Sequence, residues 1–373
     1  MIATFIASRP ELIACCERLR AEPWLAVDTE FMRERTYYAR LCLVQIATPD
    51  TIACIDPLAL DDLEPLLTLL YDPAIVKVLH AARQDLEVLS DLRGAPPAPV
   101  FDTQVAAAYL GYDDQIGYAA LVESITGRKL DKTHTRTDWA ARPLSDEQLR
   151  YAEDDVRYLR DVYRELRARL SGQGRLGWVE DDCARLGDPR LYRNPPAEAW
   201  RRVKHGHHLG ARQQTVLRAL AEWREHRAQA RDLPRAWILR DAAMLEIARA
   251  EPVDRAALGA LKELDDKAAR RWGEEILEVV ARARSGPVET VWDRPTPLSP
   301  DQQRLSKQLA AALDAAAREQ AIAPAALGTR RELQRLVLGE RELPLLKGWR
   351  RDLIGGRLLA LLAAEPGRAA ASP

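Results

Sequence analysis

The sequence predicts an α/β domain built on a mixed sheet, followed by two all-α helical bundles. Three observations predict it. The β-rich runs "WLAVDTEF", "LCLVQIAT" and "TIACID" lie close together, with only a turn between the second and third, which suits antiparallel neighbours. Helix and strand patterns then alternate as far as residue 171. Beyond residue 211 the chain is rich in Ala, Leu, Arg and Glu and reads as helix in two long blocks, 211–284 and 301–363.

The elements follow in order. After the three runs, "DLEPLLTLL" has helical periodicity, "AIVKVLH" is a fourth strand, and "ARQDLEVLSDL" is a helix. "APPAPVF" is a breaker leading into a short strand. Asp102 is a plausible N-cap for "DTQVAAAYL", and Ser145 with Gln148 forms a capping-box pattern that opens a long helix. Residues 172–204, rich in Gly, Pro, Asp and Arg, read as a connector. The expected segments are 1–171 for the α/β domain, 172–204 for the connector, 205–285 for the first bundle, 286–297 for a linker and 298–366 for a second, diverged bundle. The two bundles look like a repeat: Pro234 matches Pro324, and "WGEEIL" (272–277) matches "IGGRLL" (354–359).

Composition narrows the function. At 47% hydrophobic and 30% charged the chain is globular, and no apolar run approaches a membrane span. The N-terminus lacks a signal-peptide pattern. Five cysteines with no C-x-x-C pair suggest reduced thiols and a cytoplasmic protein. The net charge of −1 conceals an asymmetry: residues 1–200 carry 24 Lys and Arg against 33 Asp and Glu, residues 201–373 carry 31 against 23. An acidic front and a basic back suggest chemistry in one and a polyanion grip in the other, although a drift in surface composition would give the same numbers.

The stretch "AVDTEF" holds the clearest chemistry. In a strand, residues i and i+2 share a face, so Asp28 and Glu30 point one way while Val27, Thr29 and Phe31 point the other. Two carboxylates that close repel strongly unless a cation lies between them, and hard oxygen donors favour Mg²⁺ or Mn²⁺. Asp85 lies at the start of the helix after the fourth strand, where α/β folds place their sites. Tyr151 and Asp155 are four apart on one helix and share a face. Four carboxylates suffice for a two-metal hydrolytic site, in which the ions stand roughly 3.5–4 Å apart. The phenol, with a reference pKa of about 10, would orient the attacking water.

These motifs, "DTEF", the Asp in "VLHAARQD" and "YAEDDV", resemble the three motifs of the DEDD exonucleases, and Y-x-x-x-D marks the DEDDy branch. "DKTHTRTDWAARPLS" (131–145) resembles the ribonuclease D family in particular; His134 departs from the polar non-titrating residue expected there. Residues 207–284 and about 296–365 resemble two helicase-and-RNase-D C-terminal (HRDC) domains, so the resemblance covers nearly the whole chain. It implies an RNase H-like fold and metal-dependent 3′→5′ hydrolysis of RNA, releasing 5′-mononucleotides. It also implies trimming of tRNA precursors and other structured RNAs at their 3′ ends. Asp28, Glu30, Asp85 and Asp155 would hold two divalent ions, Mg²⁺ or Mn²⁺, with Tyr151 as the fifth catalytic residue. No obligate protein partner and no membrane are implied, and a monomer is expected. A DNA-directed exonuclease with the same five residues and a non-catalytic nucleic-acid-binding scaffold are the rival readings.

Five further residues are candidate substrate contacts: Phe31, Gln45, His80, Lys132 and Arg136. Phe31, opposite the acid face, fits the core better than a stacking surface; Gln45 also fits a strand partner, His80 a buried site, and the two cations a solvated loop. "KHGHH" (204–208) lacks the cysteines of a closed zinc site, and Trp223, Trp237 and Trp272 are expected in helical cores.

Overall fold

The computed structural model describes residues 3–130, 137–288 and 297–364. Six strands form one sheet in the order β1-β4-β3-β2-β5-β6: β1 (Thr4–Ile6), β2 (Trp24–Met32), β3 (Arg40–Ala47), β4 (Ile52–Ile55), β5 (Val76–Leu79) and β6 (Val100–Asp102). β3 and β4 pair antiparallel, whereas β1–β4, β2–β5 and β5–β6 are parallel. The expected strands are all present, and β1 is added at an edge. β2 sits between β3 and β5, so the acid-bearing strand lies inside the sheet.

The helices of this part are α1 (Arg9–Leu19), α2 (Glu64–Leu70), α3 (Arg83–Arg93), α4 (Thr103–Ala108), α5 (Tyr118–Thr126), α6 (Asp146–Gly172) and α7 (Leu176–Arg185). Ser145 and Gln148 form the capping box that opens α6. Asp102 caps α4 by accepting from Gln104 N at 2.8 Å, and the same carboxylate accepts from Ala81 N at 3.0 Å and Ala82 N at 2.9 Å. One buried side chain thus starts α4 and pins the turn that launches α3. The segment read as a connector contains α7, whose Val179 and Cys183 are buried.

The chain divides into two compact units. The first comprises residues 1–31, 41–191 and 297–373; the second comprises 32–40 and 192–296. In the second unit, α8 (Ala211–Arg231), α9 (Arg235–Ile238), α10 (Asp241–Ala250), α11 (Arg255–Gly259) and α12 (Asp266–Ser285) enclose a core that includes Leu220, Met244, Trp272 and Ile276. Trp223 and Trp272 do pack in that core, Trp223 donating to Glu275 at 2.8 Å. Trp237, on the four-residue helix α9, is 57% exposed, which corrects its assignment to a helical core. Tyr37 joins that core, donating to the fully buried carboxylate of Glu225, which also pairs with Arg235 at 2.6 Å.

Residues 297–364 form α13 (Pro300–Gln320), α14 (Pro324–Leu327), α15 (Arg330–Val337), α16 (Gly348–Arg350) and α17 (Gly356–Ala363). They pack within the first unit. Ala323 N donates to Ala108 O at 2.8 Å, and Trp349 stacks on Trp178 with centroids 4.4 Å apart. Arg350, 6% exposed, bridges to Asp182 at 2.9 and 2.5 Å and donates to Tyr109 Oη at 2.9 Å. The two helical blocks share an internal plan. Each opens with a 21-residue helix that ends on a left-handed residue other than glycine, Asp232 (φ 48°) and Ala321 (φ 50°). Each continues into a four-residue helix at a proline. Each then buries a glycine at a close approach: a Cβ at Gly273 would meet Leu258 Cδ2 at 3.4 Å, and one at Gly355 would meet Leu345 O at 3.2 Å.

All five cysteines are free and buried. Among the described residues, no helix is long and apolar enough to cross a membrane.

Candidate active site

The expected acids converge from three elements of the first unit. Asp28 and Glu30 lie on β2, Asp85 in the first turn of α3, and Asp155 on α6. Asp28, Glu30 and Asp155 each offer a carboxylate oxygen within 4.8 Å of the others. Asp85 is 8% exposed, and its Oδ1 accepts the Thr29 hydroxyl at 2.5 Å. Asp155 accepts a hydrogen bond from Tyr151, one helical turn earlier. Trp139, 3% exposed, packs against the Tyr151 ring at a centroid distance of 6.0 Å.

The electrostatics ask for a cation. Burial pushes Glu30 up to about 9, helped by repulsion from Asp155 and Asp85. Burial pushes Asp155 up to about 8, with Asp154 adding to it and the Tyr151 hydrogen bond opposing it. Burial carries Asp28 well above the carboxylate range, with Asp155, Asp85 and Glu30 adding repulsion. Asp85 rises to about 6, again chiefly by burial, while the Thr29 hydrogen bond restrains it. Among the described residues, the charges that act on the four are other carboxylates. Four acids gathered out of water in this way fit hard divalent ions.

The loop before α6 is strapped to the sheet. Arg142 makes a two-pronged pair with Asp56, Nε to Oδ2 at 2.6 Å and Nη2 to Oδ1 at 2.7 Å, and donates to Trp139 O at 2.8 Å. Burial alone would raise Asp56, but the Arg142 hydrogen bonds hold it below its usual range. The same guanidinium reaches Cys42 O at 2.7 Å, so the loop that backs Tyr151 is tied to β3.

The candidate substrate contacts fare differently. Phe31 is half-buried beside Glu30 at the end of β2. Gln45 is fully buried opposite Cys54 of β4, and its amide nitrogen and oxygen have no hydrogen-bond partner among the described residues. It faces the interior of a strand that is buried from Leu41 to Ala47, which places it away from solvent. Both ring nitrogens of His80 are engaged, with Thr103 Oγ1 and Ile116 O, each at 3.0 Å. Lys132 and Arg136, with His134, lie outside the described residues. Strand alternation assigned Thr29 to the face away from the acids, yet its hydroxyl holds Asp85. The helix that carries Asp85 is a separate element, and no sequence spacing reports its approach to β2. Arg142 was likewise unmarked because its partner Asp56 lies 86 residues away, and Trp139 because it sits in a loop without periodicity. The His205, His207 and His208 rings are close to one another, but the metal-competent group found among the described residues is Asp28, Glu30 and Asp155.

A mixed sheet with an Asp-x-Glu pair on its inner strand, facing a helix that carries Tyr-x-x-x-Asp, defines a 3′-5′ exonuclease domain of the DEDD class. Comparison with known proteins agrees: residues 4–171 match the 3′-5′ exonuclease family and residues 213–280 the HRDC domain. The ribonuclease D of Gluconacetobacter diazotrophicus is 45% identical over 95% of this chain and 92% of its own length. That of Granulibacter bethesdensis is 41% identical over 97% and 93%. The crystal structure of Escherichia coli RNase D, described as an exoribonuclease involved in structured RNA processing, superposes with a TM-score of 0.87 at 34% identity, covering 98% of this chain and all of that one. The chain belongs to the ribonuclease D family and is a 3′-5′ exoribonuclease. The DEDD exonucleases are divalent-metal dependent, and the acidic cluster fits that requirement.

Proposed function

We propose that this exoribonuclease trims the 3′ ends of tRNA precursors and other structured RNAs, releasing 5′-mononucleotides at a site built for two divalent ions. The observation that carries this reading is the meeting of Asp28, Glu30 and Asp155 within 4.8 Å, with Asp85 anchored beside them. These four residues would hold the ions, Mg²⁺ or Mn²⁺. Bound there, the ions supply an activated water and a counter-charge for the leaving oxygen. The chain's own contribution is placement. Tyr151 orients the water while hydrogen-bonded to Asp155, and Trp139 limits the swing of its ring. Thr29 fixes the rotamer of Asp85.

Residues 298–366 are read as a second, diverged HRDC-like bundle after the first at 205–285. Its support is the common plan of long helix, left-handed cap, proline-started short helix and buried glycine. The function is tested by digesting a 3′-extended tRNA with Mg²⁺ or Mn²⁺ and identifying the products. Stepwise shortening with 5′-mononucleotide release is expected, and Asp28→Asn or Asp155→Asn should abolish it while the fold persists. Full activity of either purified variant, or internal cleavage, would reject the reading.

A further inference from the structure

Three of the four acids are fixed to the sheet, Asp28 and Glu30 on β2 itself and Asp85 through Thr29, but Asp155 arrives on a separate helix. Repulsion among ionised carboxylates pushes α6 away from β2. One side chain of α5 opposes that push. Tyr118 opens this helix, and its hydroxyl donates to Asp154 O at 3.0 Å. The carbonyl of Asp154 and the amide nitrogen of Asp155 belong to one planar peptide unit, so the phenol grips the group from which Asp155 hangs. The Asp154 carboxylate is turned elsewhere, to Arg157 at 3.4 Å. Burial, joined by the Asp155, Asp28 and Asp154 carboxylates, pushes the phenol well above its usual range, so the hydroxyl stays a donor.

The base of Tyr118 is anchored in turn. Ile116 O, two residues before it, accepts from His80 Nε2 and from Gln104 Nε2, each at 3.0 Å. His80 directly follows β5, its Nδ1 meets Thr103 Oγ1 at 3.0 Å, and its ring centroid lies 5.5 Å from that of Tyr118. Thr103 also donates to Leu79 O, the last residue of β5, at 3.0 Å. The end of β5 therefore leads to Asp85 through the turn into α3, and to the peptide before Asp155 through His80 and Tyr118. We infer that Tyr118 is a positioning residue for the acid cluster: its hydroxyl holds Asp155 against Asp28 and Glu30 without touching an ion or the RNA. This inference rests on the reading of that cluster as the site of the divalent ions.

The test measures Mn²⁺ binding to the full chain directly, from the electron paramagnetic resonance of the free ion titrated into the millimolar range, beside hydrolysis of a short RNA. Tyr118→Phe keeps the ring and its packing and removes the donor. It should raise the Mn²⁺ dissociation constant about three- to tenfold and lower kcat at subsaturating metal by a similar factor, with KM for RNA near the parent. In an Asp155→Asn background the same substitution should leave the residual Mn²⁺ affinity unchanged, because a residue that acts through Asp155 then has nothing to position. Asp155→Asn alone should weaken Mn²⁺ binding; if it binds the ion as the parent does, the acid cluster is not the metal site and the inference falls with that reading. If Asp155→Asn weakens binding while Tyr118→Phe matches the parent, or shifts the affinity equally in both backgrounds, the positioning role alone is overturned.

Discussion

Thr29→Val removes one hydroxyl while keeping the branch at Cβ and nearly the same volume. The lost hydroxyl donates to Asp85 at 2.5 Å, between residues that are 5% and 8% exposed. A hydrogen bond to a charged group contributes about 1.5–3 kcal/mol, and water cannot easily replace it at this burial. If that energy goes into orienting Asp85, its loss amounts to roughly 10- to 150-fold in metal half-saturation or in kcat/KM. Loss of a hydrogen-bond partner behind a metal ligand typically costs about 10- to 100-fold, which agrees. The assay is hydrolysis of a short single-stranded RNA across a Mg²⁺ or Mn²⁺ series, with circular dichroism to establish folding. Thr29→Ser keeps the donor and should stay near the parent. A folded Thr29→Val variant matching the parent in both kcat/KM and metal half-saturation would refute the argument.

Other expectations follow from the same geometry. The four acids have folded-state pKa values raised above their unfolded values, so their contribution to stability is present at acidic pH and is lost as pH rises through the folded values. Metal-free protein should therefore lose melting temperature between about pH 5 and 9, and saturating Mg²⁺ or Mn²⁺ should remove most of that slope; a slope unaffected by metal would contradict the site. Arg350→Met takes away the two-pronged partner of Asp182, whose side chain is only 16% exposed, leaving it Arg185 at 3.5 Å and the Tyr109 hydroxyl, and should cost about 1.5–3 kcal/mol by urea denaturation. Arg142→Met frees the loop behind Tyr151 and should lower kcat more than it raises KM, with Asp56→Asn behaving alike.

Much of the site was legible because its signals are local. Asp28 and Glu30 stand two apart in a strand, Tyr151 and Asp155 four apart in a helix, and Ser145 with Gln148 makes a cap by reciprocal hydrogen bonds three residues apart. What escaped depends on long-range approach. Thr29 meets a residue 56 positions away and Arg142 one 86 positions away, and neither partner is implied by periodicity. Strand β1 is three residues long and leaves no alternation to count. Trp237 was misplaced because four residues of helix are too few to define a buried face.

The first compact unit is assembled from three pieces of chain, the last of them beginning at residue 297. A ribosome delivers Tyr109 and Asp182 long before Arg350, and the whole of 192–296 emerges in between. During synthesis the α/β part must wait with Asp182 held only by Arg185 and Tyr109 and with the Trp178 face uncovered until the final helices arrive. Premature termination anywhere before Arg350 would thus damage the nuclease core itself, leaving a nascent chain that chaperones would have to shelter.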